Sequence, residues 1–138
     1  MSDPIAPAGP DAVRAAIRRA ADATGVNFSL LVETARRESA FNPDARAATS
    51  SATGLFQFID STWLDMVRRH GGRHGLGAEA AALQQGADAP TRQAILALRA
   101  DPELSARMAG ELARENAAAL ESRLGRSPSA GELYAAHV

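Results

Sequence analysis

The acidic side chain of Glu38 lies at the start of the segment whose residue types are best suited to chemistry. This segment covers residues 37–58 and reads RESAFNPDARAATSSATGLFQF. It contains Phe41, Phe56 and Phe58, and apolar surroundings of this kind raise the pKa of a carboxyl group by desolvation. A glutamic acid that stays protonated near neutral pH can act as a general acid. On local sequence alone, however, such a glutamate more often faces water or pairs with a neighbouring arginine.

A glycosidase that uses two carboxyl groups would need a second acid beside Glu38. The candidates are Asp44, Asp60 and Asp65. We interpret Asp44 as a turn residue, Asp60 as a helix N-cap and Asp65 as a charge on a helix surface, because these are the common roles of aspartate at such positions. The sequence therefore offers no assignable second carboxyl group.

The histidine pair His70 and His74 has a spacing that could place two metal ligands on one helix face. Two glycines lie between them, which predicts that the helix has already ended, and no third ligand follows at a metal-site spacing. We expect no metal and no cofactor. The chain also lacks a G-x-S-x-G motif and a glycine-rich phosphate loop, which argues against a serine nucleophile and against phosphate-loop chemistry.

The elements that must position these residues are helices. Ala, Leu, Arg and Glu dominate, while β-branched and aromatic residues are few and do not alternate, so the pattern predicts an all-α fold. Trp63 is expected in the core, and the glycine-rich stretch 71–77 is expected to be the most flexible. Caps, prolines and glycines predict helices over 11–23, from Asn27 or Ser29 to Pro43, from Asp60 or Ser61 to Gly71, over 78–85, 90–100 and 102–124, and from Ser127 onward.

Length and composition indicate a single globular domain. The chain has 138 residues, of which 46% are hydrophobic and 22% charged, close to globular averages. The chain has 15 basic residues, all of them arginine, and 16 acidic residues. The resulting net charge of −1 argues against nucleic acid as a partner. The absence of cysteine excludes disulfides and cysteine-ligated zinc.

The two ends of the sequence indicate where the domain begins and ends. No apolar run is long enough for a membrane span, and residues 1–10 have neither the basic nor the apolar region of a secretion signal. We expect a flexible N-terminal segment over 1–10 and one domain over 11–138. Because the sequence stops at Val138 within a helical pattern, we expect that domain to be truncated at its C-terminus.

Two short motifs, ESAFNP at residues 38–43 and SATGLFQF at 51–58, together resemble the soluble lytic transglycosylase (SLT) domain. This family is related to goose-type lysozymes, so the resemblance implies a lysozyme-like helical domain with a glycan-binding groove. The family combines a Glu-Ser pair, an aromatic-Asn-Pro step, a loop of small residues and a Gly-Leu-Met-Gln-like turn. Here Gln57 follows Glu38 by 19 residues, and the clear match covers residues 26–67, about a third of the chain.

The resemblance assigns roles to individual residues. Glu38 corresponds to the single catalytic acid and base of the family, and Gln57 corresponds to a residue that lines the glycan groove. Phe56 replaces the usual methionine of the turn and, with Phe58, is expected to form a wall of the sugar site.

The sequence departs from the family pattern at two places. The serine that helps to place the N-acetyl group falls on an alanine, Ala47 or Ala48, and the Ala-Tyr-Asn motif of the last helix is altered to Ala136-His137-Val138. Nearby side chains must then take the place of the family's loop serine and of the tyrosine in its last motif, and for that tyrosine we favour Tyr134. The candidates are Thr49, Ser50 and Ser51 for the loop serine, and Tyr134 and His137 for the tyrosine.

The family chemistry needs no second carboxyl group. The glutamic acid protonates the oxygen between N-acetylmuramic acid and N-acetylglucosamine, and the resulting carboxylate then deprotonates the muramyl C6 hydroxyl, which attacks C1. The product carries a 1,6-anhydro end. A muramidase of the same architecture and a non-catalytic glycan-binding or interaction module are the alternatives.

The same resemblance implies the setting of the protein. Its partner would be the glycan strand of peptidoglycan, outside the cytoplasm, with a protein of a cell-envelope machine as a further option. We expect a monomer that binds no nucleic acid and has no membrane span.

Overall fold

The computed structural model describes residues 9–137, without the side chains of Tyr134, Ala136 and His137. Residues 1–8, most of the predicted flexible segment, and Val138 lie outside the described part, and Pro10 already begins the first helix. No helix in the described part of the chain combines the length and the continuous apolar character of a membrane span. The helices are α1 (Pro10–Thr24), α2 (Phe28–Ser39), α3 (Asp60–His70), α4 (Gly77–Gln84), α5 (Ala89–Ala97), α6 (Pro102–Leu124) and α7 (Ala130–His137), with 3₁₀ turns over Gly71–His74 and Leu98–Ala100.

The predicted all-α class is confirmed, and most helix ends lie where the local signals place them. The side chain of Asn27 accepts a hydrogen bond from the Leu30 amide at 3.0 Å, and Asp101 does the same for the Leu104 amide at 3.0 Å. These contacts satisfy amide groups that have no partner within the first helical turn. Gly125 ends α6 in a left-handed conformation with φ of 70°, as expected for a glycine C-cap.

One predicted helix start, that of α7, and one predicted helix cap, that of α3, are wrong. Helix α7 begins after Pro128 rather than at Ser127, because Ser129 and Glu132 cap each other's backbone amides. Helix α3 is capped by Ile59 rather than Asp60, which is its first helical residue. The carboxylate of Asp60 is an ion-pair partner of Arg99 instead, at 2.9 Å, so it does not bond to the helix amides.

The core lies between α1, α2, α3 and α6, and its largest fully buried side chain is Trp63, as predicted. Helix α1 packs mainly against α6, where the side chain of Thr24 lies close to the backbone of Gly110. A Cβ atom at Gly110 would lie only 2.5 Å from the Thr24 hydroxyl. This close approach explains a glycine in a helix interior, a position where glycine otherwise costs about 1 kcal/mol relative to alanine.

His70 and His74 both contact glutamates of α6, and they share Glu111, which lies 3.9 Å from His70 Nδ1. His74 Nε2 lies 2.8 Å from a carboxylate oxygen of Glu111, and His70 Nε2 contacts Glu115. Within the described residues, no three or more His, Asp or Glu side chains are arranged to hold a metal ion. These contacts fasten the end of α3 and the 3₁₀ turn after it to the middle of α6.

Candidate active site

Glu38 is the penultimate residue of α2, where the chain leaves the helix abruptly. The next two residues after the helix, Ala40 and Phe41, have φ angles of 51° and 64° in the left-handed region, which non-glycine residues seldom adopt. The Ala40 amide nevertheless donates to the Arg36 carbonyl at 2.9 Å, which closes the helix. Backbone strain of this kind, often found at functional sites, directs the chain away from the helix immediately after the acid.

Opposite the end of α2, the turn over residues 54–58 is held by backbone and side-chain hydrogen bonds. Gln57 also has a positive φ, 52°, and its side-chain amide donates to the carbonyls of Ala45 at 3.1 Å and Gly54 at 2.8 Å. The Thr53 amide donates to the Phe58 carbonyl at 3.1 Å across the base of the turn. The Gln57 side chain is therefore oriented before any ligand arrives.

Ser39 joins the acid's helix to this turn. Its hydroxyl, next in sequence to Glu38, donates to the Leu55 carbonyl at 2.8 Å and also lies 3.1 Å from the Ala35 carbonyl. The Glu-Ser pair recognised in the sequence therefore has a structural basis, since the serine sets the distance between the end of α2 and the turn.

A cavity of about 320 Å³ lies between the end of α2 and this turn. Among the described residues that line it, Glu38 alone carries a carboxyl group, and partial burial raises the pKa of that carboxyl by desolvation. The cavity is thus suited to a protonated acid beside neutral polar and apolar groups. Its lining residues are Glu38, Phe56, Gln57, Phe58, Ile59, Thr62 and Leu112.

Phe56 and Phe58 are buried residues that line the inner part of this cavity. Their exposed fractions are 2% and 4%, and the Phe58 ring packs edge-on against Trp63 with ring centres 5.3 Å apart. The exposed apolar surface at the cavity belongs to Ile59, which is 43% exposed. Sequence reasoning did not select Ile59, Thr62 or Leu112, and Leu112 comes from α6, far along the chain and without a local signal.

Ser50 and Ser51 are not among the residues that line the cavity. The Ser50 hydroxyl accepts a hydrogen bond from the Ala52 amide at 3.2 Å, and the Ser51 hydroxyl accepts one from the Asp60 amide at 3.0 Å. Ser51 therefore satisfies an amide at the start of α3. The side chains of Tyr134 and His137 lie outside the described residues.

The three aspartates considered as second acids have other contacts. The carboxylate of Asp65 pairs with Arg68 and Arg69 on the surface of α3, as its interpretation as a helix surface charge predicts. Asp44 lies in the turn after Pro43, where its amide donates to the Asn42 side chain at 2.9 Å. Neither these two nor Asp60 lines the cavity with Glu38.

The raised pKa of Glu38 predicts a pH-dependent stability difference between Glu38→Gln and the wild type. A raised pKa means that Glu38 binds its proton more tightly in the folded state than in the unfolded state. Protonation of Glu38 therefore stabilises the fold at pH values below its ordinary pKa of 4.5, and this stabilisation is lost as the pH rises through the raised pKa. Glutamine is neutral at every pH, so we expect Glu38→Gln to unfold at a higher temperature than the wild type at neutral pH. The difference should disappear below pH 4.5, the ordinary pKa of glutamate. Thermal unfolding of both proteins across this pH range measures the effect; a variant that is less stable at neutral pH would contradict it.

Comparison with known families gives a match that covers most of the chain. A family model described as the transglycosylase SLT domain matches residues 15–126. The match extends from the first turns of α1 to just beyond the end of α6, so it includes every residue that lines the Glu38 cavity.

Proposed function

Because the chain belongs to the transglycosylase SLT family, a domain of peptidoglycan-cleaving lytic transglycosylases, we propose that it cleaves the β-1,4 bond between N-acetylmuramic acid and N-acetylglucosamine and leaves a 1,6-anhydro end. The observation that carries this proposal is the Glu38 carboxyl in its cavity. It is partly desolvated, has a raised pKa and stands beside the oriented amide of Gln57, while the described lining provides no second carboxyl group.

In the proposed reaction, Glu38 acts first as an acid and then as a base. Protonated Glu38 donates its proton to the glycosidic oxygen as the bond to the muramyl C1 breaks, and the N-acetylglucosamine end leaves as an alcohol. The resulting carboxylate takes the proton of the muramyl C6 hydroxyl, and the C6 oxygen bonds to C1. Glu38 is thereby protonated again, and no water is consumed.

The environment of Glu38 favours both steps. Desolvation raises the pKa of the Glu38 carboxyl and so favours its protonated form, which the first step requires. In the second step the C6 hydroxyl belongs to the bound sugar, and an intramolecular nucleophile has a large effective concentration relative to solvent water. The anhydro product can therefore form even in a cavity that is open to solvent.

Other candidate residues have supporting parts in this proposal. Gln57, Phe56 and Phe58 shape the cavity around the sugar. Ser50 or Ser51, which do not line this cavity, would contact the N-acetyl group outside it, and Tyr134 or His137 would approach from the last helix. The substrate sets the location, since peptidoglycan lies outside the cytoplasm. We therefore infer an extracytoplasmic monomer that acts on glycan strands, with an envelope protein as an optional partner.

The test of this proposal is the chemical form of the released sugar ends. Purified peptidoglycan is treated with the wild-type chain and the soluble products are analysed by mass spectrometry. Products lighter by one water than those of a hydrolytic muramidase are expected, since the C6 oxygen replaces water at C1. Hydrated reducing ends would show the hydrolase instead, and a folded chain that binds glycan without releasing products would show the non-catalytic module.

A further inference from the structure

A buried arginine, Arg99, lies beneath the turn that carries Gln57. It belongs to the 3₁₀ turn Leu98–Ala100, between α5 and α6, and only 9% of its side chain is exposed. An arginine is rarely buried unless its charge and its donors are satisfied. The proposed chemistry does not use Arg99, so its burial calls for an explanation in terms of its contacts.

The contacts of the Arg99 guanidinium are concentrated on the segment that forms the cavity wall. One terminal nitrogen donates to the carbonyls of Ser51 and Phe58, each at 2.8 Å, and the other pairs with the Asp60 carboxylate at 2.9 Å. The remaining nitrogen, Nε, donates to the Leu96 carbonyl at 3.0 Å. The planar guanidinium thus connects the two ends of the 51–58 segment with the first residue of α3, a geometry that a lysine ammonium cannot reproduce.

The backbone of Arg99 also contacts the turn. Gly54 has a φ of 89°, and a Cβ atom placed on it would lie 2.4 Å from the Arg99 carbonyl oxygen. Only a glycine permits both this conformation and this approach. On the other side, the Ser39 hydroxyl bonds to Leu55 at 2.8 Å, so the turn is held between the acid's helix and Arg99.

We propose that Arg99 is a positioning residue for the glycan-cleaving reaction. By donating to the carbonyls of Ser51 and Phe58 and forming an ion pair with Asp60, it fixes the 54–58 turn, and with it Gln57, against the cavity that Glu38 lines. The proposal rests on the proposed function for its effect on turnover. Without the guanidinium, two carbonyls lose a charged donor and the Asp60 carboxylate loses its cation. The turn then samples other positions, and small displacements of a positioning group cost about 100-fold in rate.

The experiment compares Arg99→Met, which removes the charge and the guanidinium donors but keeps an unbranched apolar stem, with Arg99→Lys, which keeps the charge but not the planar fork. Arg92→Met is the matched control, because Arg92 is an exposed arginine on the neighbouring α5. Amide hydrogen exchange is measured at Thr53 and Gln57, whose amides bond to Phe58 and Gly54 within the turn. Turnover and KM are measured on soluble glycan fragments at a temperature where circular dichroism shows each variant folded.

We expect Arg99→Met to exchange the turn amides at least about 10-fold faster, with α1 unchanged, and to lose about 10- to 100-fold in kcat with little change in KM. Arg99→Lys should fall between this variant and the wild type, while Arg92→Met should match the wild type. If Arg99→Met does not fold, the exchange rates of the turn amides and the kcat of Arg99→Lys test the proposal instead. Unchanged exchange in the turn of a folded variant would overturn the proposal, and so would faster exchange with an unchanged kcat.

The two proposals fail in distinguishable ways. A wild-type chain that releases no products from peptidoglycan would contradict the proposed function, and the exchange rates would still report whether Arg99 holds the turn. A wild-type chain that cleaves glycan together with variants of unchanged exchange would contradict only the role of Arg99.

Discussion

Glu38→Gln is expected to lower the rate of glycan cleavage by about 10²- to 10⁴-fold, the range that one general acid–base group contributes. The amide is nearly the same size as the carboxyl, so the cavity and the end of α2 should keep their geometry. It cannot give a proton to the glycosidic oxygen or accept one from the C6 hydroxyl. Release of products from peptidoglycan is measured for both proteins at equal concentration, with helicity checked by circular dichroism.

Glu33→Gln is the matched control for this prediction. Glu33 lies on the same helix as Glu38, but its side chain is 44% exposed, pairs with Arg36 and Arg37, and does not line the cavity. Those arginines lower the pKa of its carboxyl, opposite to the shift of Glu38. This variant should cleave glycan at the wild-type rate. Comparable cleavage by folded Glu38→Gln would contradict the catalytic assignment.

Trp63→Ala is expected to destabilise the fold by about 3–5 kcal/mol, the usual cost of removing a large buried aromatic side chain. Trp63 is 0% exposed, and its indole nitrogen donates to the Ile95 carbonyl at 2.9 Å. Its ring also supports Phe58 from beneath the cavity. The loss should therefore reach the candidate site, and chemical unfolding followed by circular dichroism measures it.

Trp63→Phe separates the two parts of this effect. It keeps an aromatic ring against Phe58 but removes the indole donor to Ile95 and some of the buried volume. We expect it to lose less stability than Trp63→Ala and to keep more of the cleavage activity. Equal losses in the two variants would show that the ring contact with Phe58 contributes nothing measurable.

The helical fold could be predicted from the sequence because its signals are local. Asn27 and Asp101 cap helices, and Gly125 ends one, through contacts with residues only three or four positions away. Local preference also misled at α3, where Asp60 was expected to cap the helix. In the structure the Asp60 carboxylate forms an ion pair with Arg99, which is distant in sequence.

The helical class follows from the amino-acid sequence, and so does the pairing of Glu38 with Gln57, through the motifs at 38–43 and 51–58. Which side chains line the cavity between them depends on how the helices pack, because packing sets burial and the contacts between distant parts of the chain. Packing covers Phe56 and Phe58 while leaving Ile59 exposed, and it brings Leu112 to the cavity. Packing also places the guanidinium of Arg99 next to the 54–58 turn. There it is buried and donates to two backbone carbonyls, contacts that nothing in the local sequence around Arg99 indicates.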